Sequence, residues 1–441
     1  MKADKPNILY IHSHDTGRYV QPYGYPVPTP NIQKLAEGGV VFRNAFNAAP
    51  TCSPSRAALL TGQWPHSCGQ FGLANRGFTL PDRSKHIVHT LKTAGYYTAL
   101  VGIQHVVRDS RTIGYDSVLP ERRWAAHDVV PEALNFLESS PKAPFFLSCG
   151  FGDTHRGFQP RSLTEDPRWC RPPAPFPDAP ETRRDMARFT ASARVLDQAM
   201  GTVFAALEEN GLADDTLVIC TTDHGITFPR MKCHLNDHGT GVMLILRGPG
   251  GFEGGVVNDA LVSHIDLFPT LCEFLGIEAP AWLQGTSLMP LVRGPAEEVN
   301  EAVFSENNYH ACYEPMRTVR TKRWRYIRRF HSRRVPFPAN CDASPTKTLL
   351  VENGWEERTV PQEELYDLTF DPNEACNLAG DASAQEALEE MQGRLDRWMK
   401  ATDDPLLEGD IPLPEGAVVN RPDDRDPFDI WKYTERPDHL I

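Results

Sequence analysis

The clearest chemical signal in the sequence is a cysteine followed by an arginine four positions later, in Cys52-Ser53-Pro54-Ser55-Arg56. Ser53-Pro54 is typical of a helix start, so the arginine is expected one helical turn beyond the cysteine. A helix N-terminus and a nearby cation both favour bound anions and the thiolate form of cysteine. A buried structural cysteine is the alternative. The spacing does not fit a cysteine-based phosphatase, which needs its arginine six positions on, where Ala58 stands.

The composition is that of a globular protein with an acidic surface. The 441 residues are 40% hydrophobic and 23% charged, and the formal net charge is −13. Such a surface repels nucleic acid and acidic membranes, so neither is an expected partner. A small anionic substrate would need a locally basic pocket. No apolar run approaches about 18 residues, so no membrane span is expected.

The cysteines and the N-terminus indicate the compartment. Ten cysteines are scattered along the chain without a C-x-x-C pair, which argues against a zinc finger and against a dense disulfide framework. The first residues lead directly into the apolar run Asn7–Ile11, which is more typical of a strand than of a signal peptide. A cytoplasmic location is expected.

Short apolar runs bounded by glycine, proline or aspartate alternate with helical patterns over residues 1–300, as buried strands of a parallel sheet do. A long amphipathic helix is predicted over 183–210, with Gly211 as its stop. We therefore expect an α/β catalytic domain with a large, mostly parallel sheet flanked by helices. The predicted strands are Ile8–Ile11, Tyr97–Gly102, Phe145–Cys149, Leu217–Thr221 and Met243–Arg247.

The pattern of apolar and charged residues changes in residues 301–441. Alternating apolar and basic residues over Met316–Phe330 and a helix near Ala384–Lys400 predict a smaller C-terminal α+β subdomain, an antiparallel sheet with one packed helix, followed by an extended tail. Nine of the eighteen residues of Arg317–Arg334 are lysine or arginine. Their alternation is typical of a half-exposed edge hairpin, although one or two arginines could reach a substrate.

The segment Pro50–Gly62 resembles the sulfatase signature at every position: Cys-x-Pro-x-Arg, two small residues, two leucines and Thr-Gly. Sulfatases belong to the alkaline phosphatase superfamily and are α/β proteins with a smaller C-terminal domain. The resemblance extends over nearly the whole chain and is closest to the sulfamidase branch. Segments that carry it include Phe42–Phe46, Pro144–Leu147, Asp214–Ile219, Tyr309-His310, Pro315–Arg317, Pro336–Pro338, Ser344–Thr346 and Glu364–Asp367.

The resemblance implies that a maturation enzyme oxidises Cys52 to formylglycine, whose hydrated gem-diol is the nucleophile. One hydroxyl attacks sulfur and expels the leaving group, and the second releases sulfate and restores the aldehyde. Arg56 would stabilise the diol and its developing charge.

The resemblance also implies one divalent metal ion, usually calcium, held by residue 52 and by Asp-Asp and Asp-Asn pairs at the ends of two strands. The matching pairs here are His14-Asp15 and Asp223-His224. Calcium prefers oxygen ligands, whereas imidazole suits manganese, zinc or iron. A histidine near a strand end can also be a core residue. We predict His14, Asp15, Cys52, Asp223 and His224 as the metal site, with Mn²⁺ or Zn²⁺ as alternatives to Ca²⁺.

Sulfate binding departs from the family pattern. Gly102-Ile103-Gln104-His105 resembles a Gly-Lys-x-His segment in which the lysine that neutralises sulfate is replaced by Ile103. By resemblance, His105 would hydrogen-bond the formylglycine. Gln104 could donate a neutral hydrogen bond to the substrate instead of the missing lysine.

Two further site residues follow from the same resemblance. His155, in Asp153-Thr154-His155, is the candidate general acid for the leaving group, and a structural loop histidine is the alternative. Lys232 stands where sulfamidases have a sulfate-binding arginine, a role that Arg230 could take instead. His234 and His238 are assigned no role.

The sequence thus predicts a sulfatase that cleaves a sulfuric ester or sulfamate of a small anionic substrate, a sulfated sugar or an aryl sulfate. The alternative on the same scaffold is a phosphonate monoester or phosphodiester hydrolase with a transition metal. A third possibility is a non-catalytic carbohydrate-binding relative, with an unmodified Cys52 and no metal. Family habit implies a homodimer.

Overall fold

The structure is a computed structural model that describes residues 5–119, 124–139, 141–142, 144–158, 165–294 and 296–434. Its described strands form two sheets. The larger has eight strands in the order β4-β3-β5-β1-β6-β7-β2-β8. These strands are β1 (Asn7–Ser13), β2 (Val40–Phe46), β3 (Tyr97–Gly102), β4 (Ser117–Val118), β5 (Phe145–Gly150), β6 (Thr216–Thr222), β7 (Leu244–Arg247) and β8 (Val256–Ser263).

The centre of the large sheet is parallel. β1 pairs in parallel with both β5 and β6, so that Ile8 lies opposite Phe146 and Leu217. All residues of these three strands are buried, which explains their continuous apolar runs in the sequence. Only β7 runs antiparallel to its two neighbours. The predicted α/β fold is confirmed.

Three strands of this sheet were not predicted from the sequence. β2 carries Arg43 and Asn44 in its middle, and the first four residues of β8 are exposed or half-buried. Both strands therefore lack the continuous apolar run by which the other strands were recognised. β4 has only two residues.

Helices cover both faces of the sheet because successive side chains of a strand point to opposite sides. Ile8 and Tyr10 pack with residues of α2, α4 and α8, whereas Leu9 and Ile11 pack with residues of α1, α5 and α6. The helices are α1 (Pro30–Glu37), α2 (Cys52–Thr61), α3 (Pro65–Cys68), α4 (Ile87–Thr93), α5 (Ala126–Glu138), α6 (Pro180–Glu209), α7 (Asp237–Thr240), α8 (Leu267–Leu275), α9 (Met289–Arg293), α10 (Pro345–Glu352) and α11 (Gln385–Ala401).

Two predicted helices correspond to α6 and α11. α6 begins three residues before the predicted start, with Pro180 in its first turn, where the missing N–H of proline does no harm. None of the described helices is both long and apolar enough to cross a membrane.

The second sheet has four antiparallel strands in the order β12-β11-β10-β9, and residues of α11 join its hydrophobic core. Its strands are β9 (Val303–Tyr309), β10 (Tyr313–Arg320), β11 (Trp324–Arg329) and β12 (Glu363–Asp367). The predicted antiparallel sheet with its packed helix is confirmed. The division into domains at residue 300 stays a prediction, and residues 435–441 of the predicted tail lie outside the described ranges.

The basic segment forms the two inner strands of this sheet, so its prediction as an edge hairpin was wrong. The arginines can lie inside because carboxylates neutralise them: Arg317 is fully buried and bonds Asp404 at 2.5 and 2.9 Å, and Arg329 lies 3.1 Å from Glu364. The arginine-rich pattern is therefore structural, as the alternation indicated.

Candidate active site

The candidate active site lies at the carboxyl ends of β1 and β6. His14-Asp15 directly follows β1 and Asp223-His224 directly follows β6, and because the two strands are parallel neighbours these residues meet at one edge of the sheet. The first turn of α2 is fixed to the same edge, since the Ser55 hydroxyl donates to the Asp223 carbonyl at 2.6 Å. The sheet edge and the helix start thus bring both sequence motifs together.

Four of the predicted residues form a tight, buried cluster. One ligand atom from each of His14, Asp15, Cys52 and Asp223 lies within 4.8 Å of all the others. His14 Nδ1 is 3.0 Å from Asp223 Oδ2 and 3.3 Å from Asp15 Oδ1. None of the four is more than 3% exposed. Burying two carboxylates this close together requires positive charge between or beside them.

His224 completes the cluster. Its Nε2 lies 3.2 Å from Asp15 Oδ1 and 3.3 Å from Cys52 Sγ, and its Nδ1 lies 3.0 Å from the Gly225 carbonyl. A proton on Nδ1 would be donated to that carbonyl, which leaves the Nε2 lone pair facing the cluster. This orientation, with one nitrogen held by a carbonyl and the other free to coordinate, is usual for histidines that bind metal.

The electrostatics of the cluster also favour a cation. Burial disfavours a charged imidazole, but the carboxylates of Asp223 and Asp15 outweigh it and raise the pKa of His224 to about 9. Burial likewise opposes ionisation of Cys52, yet Lys232, His14 and His224 hold the pKa of its thiol well below the usual value. The negative potential that draws a proton to His224 would equally draw a metal ion.

Arg56 lies beside the metal cluster and is held on three sides. Its Nη2 donates to Asp223 Oδ2 at 3.0 Å and to the Ser13 carbonyl at 2.9 Å, and its Nη1 donates to His12 Nδ1 at 2.6 Å. The side chain is 2% exposed. Arg56 therefore neutralises Asp223 from inside the protein, with its orientation fixed by His12.

Lys232 bridges two carboxylates on the other side of the cluster. Its Nζ lies 2.9 Å from Asp15 Oδ2 and 3.4 Å from Asp342 Oδ2. An ammonium group has three N–H donors, so one donor remains for a further acceptor. The structure places Lys232 beside the cluster, and its role in sulfate binding stays a prediction. Arg230, the alternative, is exposed and makes no such contact in the described structure.

His155 borders the opening of the site. Its Nε2 is 3.9 Å from Asp15 Oδ2 and its side chain is 28% exposed. Its ring centroid lies 5.1 Å from that of His14 and 5.5 Å from that of Trp124. The Nδ1 lies 3.0 Å from the Arg156 carbonyl, so Nε2 is the nitrogen that faces the cluster. Burial lowers the pKa of His155, which favours its neutral form.

His105 lies next to Cys52, close enough for its imidazole to share a possible ligand group with Cys52 and His14. Burial lowers the pKa of His105. Its backbone has a φ of +59°, a strained conformation for a residue with a side chain, which turns the chain directly after β3.

Three other residues lie apart from the cluster. Gln104 was expected to offer a hydrogen bond to the substrate, but this is wrong: its amide nitrogen donates to the Val107 carbonyl at 2.7 Å, and its oxygen accepts from the Val106 N–H at 2.6 Å. Gln104 thus holds its own loop together. The imidazole of His238 bonds the Tyr19 hydroxyl at 2.9 Å, and His234 is half-buried.

Four residues of the site were not predicted as functional: His12, Trp124, His310 and Asp342. His12 stands inside an apolar strand pattern, which predicts a core residue at its position. Trp124 and Asp342 belong to irregular segments without a motif. His310 follows β9 and was noted only as part of a segment similar to sulfamidases.

An α/β fold with buried carboxylates, imidazoles and a cysteine at the carboxyl ends of its parallel strands defines the class of the protein as a hydrolase built for an anionic group. The sulfatase family model matches residues 6–277, and the model of the N-sulphoglucosamine sulphohydrolase C-terminal region matches residues 230–336. The chain belongs to the sulfatase family and is a sulfatase-type hydrolase. A non-catalytic carbohydrate-binding relative is therefore the wrong interpretation.

Two relatives and one solved structure extend this result. The chain is 30% identical to human N-sulphoglucosamine sulphohydrolase, over 95% of this chain and 94% of that protein. It is 27% identical to an ulvan-active sulfatase of Formosa agariphila, over 95% of this chain and 78% of that protein. Its fold is similar to phosphonate monoester hydrolase from Silicibacter pomeroyi, with a TM-score of 0.71 at 19% identity, over 95% of this chain and 100% of that chain.

Proposed function

We propose that the protein releases sulfate from a sulfated sugar, as an ester or a sulfamate, with a formylglycine made from Cys52 and one divalent metal ion. The convergence of carboxylate and imidazole donors on Cys52 Sγ carries this proposal, because a structural cysteine needs no such surroundings. The sulfated-sugar class is supported by the two relatives, an ulvan-active sulfatase and an N-sulphoglucosamine sulphohydrolase.

The donor set fits a divalent metal ion. Asp15 and Asp223 offer carboxylate oxygens, His14 and His224 offer imidazole nitrogens, and residue 52 lies beside all four. Two imidazoles among five donors favour Mn²⁺ or Zn²⁺ over Ca²⁺. When bound, the metal would act as a Lewis acid that neutralises sulfate oxygens and the nucleophile. Formylglycine would supply a diol hydroxyl for attack on sulfur and a second hydroxyl for sulfate release.

The chain's own residues would orient and neutralise the reacting groups. Lys232 would donate its remaining N–H to a sulfate oxygen, since Asp15 and Asp342 occupy the other two donors. Arg56 holds Asp223 in place, and His105 would hydrogen-bond residue 52. His155 would protonate the leaving oxygen or nitrogen from its doubly protonated form, through Nε2, which faces the cluster; the Asp15 carboxylate 3.9 Å from Nε2 favours that second proton.

A second candidate function is hydrolysis of phosphonate monoesters or phosphodiesters on the same scaffold. Two observations favour it: the imidazoles at both metal positions, and Ile103 in place of the sulfate-neutralising lysine. The phosphonate monoester hydrolase with a similar fold shows only that this architecture accommodates that chemistry.

Three further parts of the proposal concern the surroundings of the enzyme. A maturation enzyme would act on Cys52 before the chain folds, since the residue is buried in the folded protein. The ten cysteines are all free, which supports a reducing, cytoplasmic location. A homodimer is proposed by analogy with the family alone.

The test is to produce the protein in its native host, measure the mass of the tryptic peptide 44–56, and assay the same sample. We expect a mass lowered by exchange of H₂S for O at Cys52, and hydrolysis of sugar sulfates or sulfamates that far exceeds hydrolysis of a matched phosphonate. The variant C52A is the control for contaminating hydrolases. An intact thiol throughout an active sample would refute the formylglycine mechanism, and preference for the phosphonate would establish the second candidate.

A further inference from the structure

We infer that Asp342 and His310 form a hydrogen-bonding subsite for the leaving group, one that takes a hydroxyl or ammonium group next to the sulfate. The inference rests on the proposed function and adds a requirement to it: the preferred substrate carries a hydrogen-bond donor close to the scissile bond. The observations concern the position of Asp342, the state of His310 and the charge around both.

Asp342 lies beside the catalytic lysine but is only partly used by the protein. Its Oδ2 accepts from the Thr227 hydroxyl at 2.6 Å and lies 3.4 Å from Lys232 Nζ. The other oxygen, Oδ1, makes no hydrogen bond within the described part of the chain, and the side chain is 15% exposed. An oxygen of a partly exposed carboxylate can accept a hydrogen bond from an incoming group.

His310 is near enough to Lys232 and Asp342 to interact with their charges, and it also has a polar atom that the protein does not use. The residue is 5% exposed, and its buried Nδ1 has no hydrogen-bond partner among the described residues. Burial lowers the pKa of His310 to about 3, with a further contribution from nearby Lys232, so the ring is neutral. A buried imidazole nitrogen without a partner is unfavourable in the free protein, and a bound ligand can satisfy it.

The charge of Asp342 determines what this subsite can bind. Burial opposes its ionisation, but the Lys232 ammonium group 3.4 Å away outweighs that effect and holds the pKa of Asp342 far below the usual value. A carboxylate repels a sulfate oxygen, so its free oxygen does not belong to the sulfate half of the pocket. It faces a donor instead, a sugar hydroxyl or an ammonium group, which an aryl sulfate does not offer.

The subsite is completed by the side chain expected to act on the leaving group. The charge of Asp342 acts on the His155 ring, and the centroid of the Trp124 ring lies 5.5 Å from that of His155. An aromatic ring beside a carboxylate and a neutral imidazole is a usual environment for a polar ring with several hydroxyls. The leaving-group side of the pocket therefore combines stacking with hydrogen-bond acceptors.

The test compares D342N with the wild type on three substrates: a sugar sulfate, its analogue in which the adjacent hydroxyl is replaced by hydrogen, and 4-nitrophenyl sulfate. We expect D342N to lower kcat/KM for the sugar sulfate by about 30-fold and for 4-nitrophenyl sulfate by less than threefold. The deoxy analogue should be a poor substrate of the wild type, and D342N should add no further loss on it. The asparagine retains an oxygen for the Thr227 hydroxyl.

A binding measurement separates this inference from the proposed function. On the C52A background, which binds without turnover, calorimetry with the sugar sulfate should show a dissociation constant about 30-fold weaker when D342N is added. D197N, at a buried aspartate that bonds Asn31 and the Ile32 N–H in a different part of the fold, is the matched control and should leave binding unchanged.

Two results overturn the inference. Equal losses on the sugar sulfate and on 4-nitrophenyl sulfate would mean that Asp342 acts only by holding Lys232. Unchanged binding in the D342N variant would mean that the carboxylate does not touch the leaving group. Failure of the wild type to release sulfate from all three substrates would instead refute the proposed function, and it would leave the calorimetric result to decide whether the subsite binds sugar.

Discussion

Two of the buried charge clusters in the described part of the chain differ in kind. The first is the candidate metal site, called the metal cluster here, which is the group of His14, Asp15, Asp223 and His224 around Cys52. The arginine cluster joins the two sheets and consists of charged side chains stacked around one aromatic ring. Its members are Arg18, Asp237, Arg320, Arg325 and Glu374, and the ring is that of Phe46.

In the arginine cluster, three guanidinium groups surround two carboxyl groups. Asp237 pairs with three guanidinium groups, that of Arg18 at 3.8 Å, that of Arg320 at 3.3 Å and that of Arg325 in a still closer contact. The carbon atoms at the centres of these guanidinium groups lie 4.5, 4.7 and 5.7 Å from the centroid of the Phe46 ring. Guanidinium is always charged and only donates hydrogen bonds, so these three side chains offer no lone pair to a metal ion.

The metal cluster is different because imidazoles lie among its carboxylates in addition to the fixed cations Arg56 and Lys232. A neutral imidazole offers a lone pair, and the lone pairs and carboxylate oxygens of this cluster converge on one point. Buried charge by itself therefore indicates no function. Imidazole and carboxylate acceptors that converge on one point distinguish the site from a structural ion-pair network.

The largest expected effect is a loss of activity in a variant that still folds. In C52A we expect kcat/KM for the sulfate substrate to fall by about 10⁴-fold, because the only candidate nucleophile is removed. The free energy of unfolding in urea should change by less than about 1 kcal/mol. The matched control is C220A, at a cysteine buried in β6 among apolar residues, which should lower stability but keep the activity of the folded fraction. Residual activity of C52A near the wild-type value would refute the role of residue 52.

The converse variant breaks the arginine cluster. R325M leaves Asp237 buried with less positive charge around it, so we expect the free energy of unfolding to fall by about 3 kcal/mol. Activity per folded molecule should be retained. Urea denaturation followed by fluorescence measures the free energy of unfolding. Kinetics normalised to the concentration of folded protein measure the activity per molecule. R323M, at an exposed arginine that bonds Asp367, is the control and should cost less than about 1 kcal/mol. Equal losses in the two variants would contradict the comparison.

The sequence predicted the metal cluster better than the arginine cluster, for a physical reason. His14-Asp15 and Asp223-His224 follow apolar strands directly, and strand ends in a parallel sheet share an edge, so local pattern was enough to bring them together. Arg325 and Asp237 are 88 positions apart and lie in segments whose alternation gives no sign of a partner. Only the packing of the two sheets makes that contact.

The same reasoning explains which site residues were found. Cys52 and Arg56 lie on one helical turn, which a sequence shows directly. Lys232 was found only by resemblance, and Asp342, its partner at 3.4 Å, belongs to an irregular segment 110 positions away. Gln104 was misassigned because a polar residue after a strand can serve its own loop as well as a substrate.

A third variant tests how an imidazole donor and a carboxylate donor differ in the metal ion that they select. H14D replaces a nitrogen ligand by an oxygen ligand, so we expect the preference for Mn²⁺ over Ca²⁺ to fall roughly tenfold, about 1.4 kcal/mol. Metal content after dialysis against equimolar Ca²⁺ and Mn²⁺, measured by mass spectrometry, reports this independently of activity. H127D, at a histidine whose side chain is 82% exposed, should leave the metal ratio unchanged. An unaltered ratio in H14D would show that His14 does not coordinate the metal.

The smallest effect comes from an ion pair that is well formed but exposed. Arg43 bonds Asp259 through two contacts of 2.6 and 2.5 Å, yet the two side chains are 56% and 58% exposed. Water screens such a pair, so R43A should lower the free energy of unfolding by at most about 0.5 kcal/mol, and the loss should shrink further in 1 M salt. Urea denaturation at low and high salt measures both values. A loss as large as that of R325M would mean that pairing geometry, rather than burial, decides the strength of ion pairs in this protein.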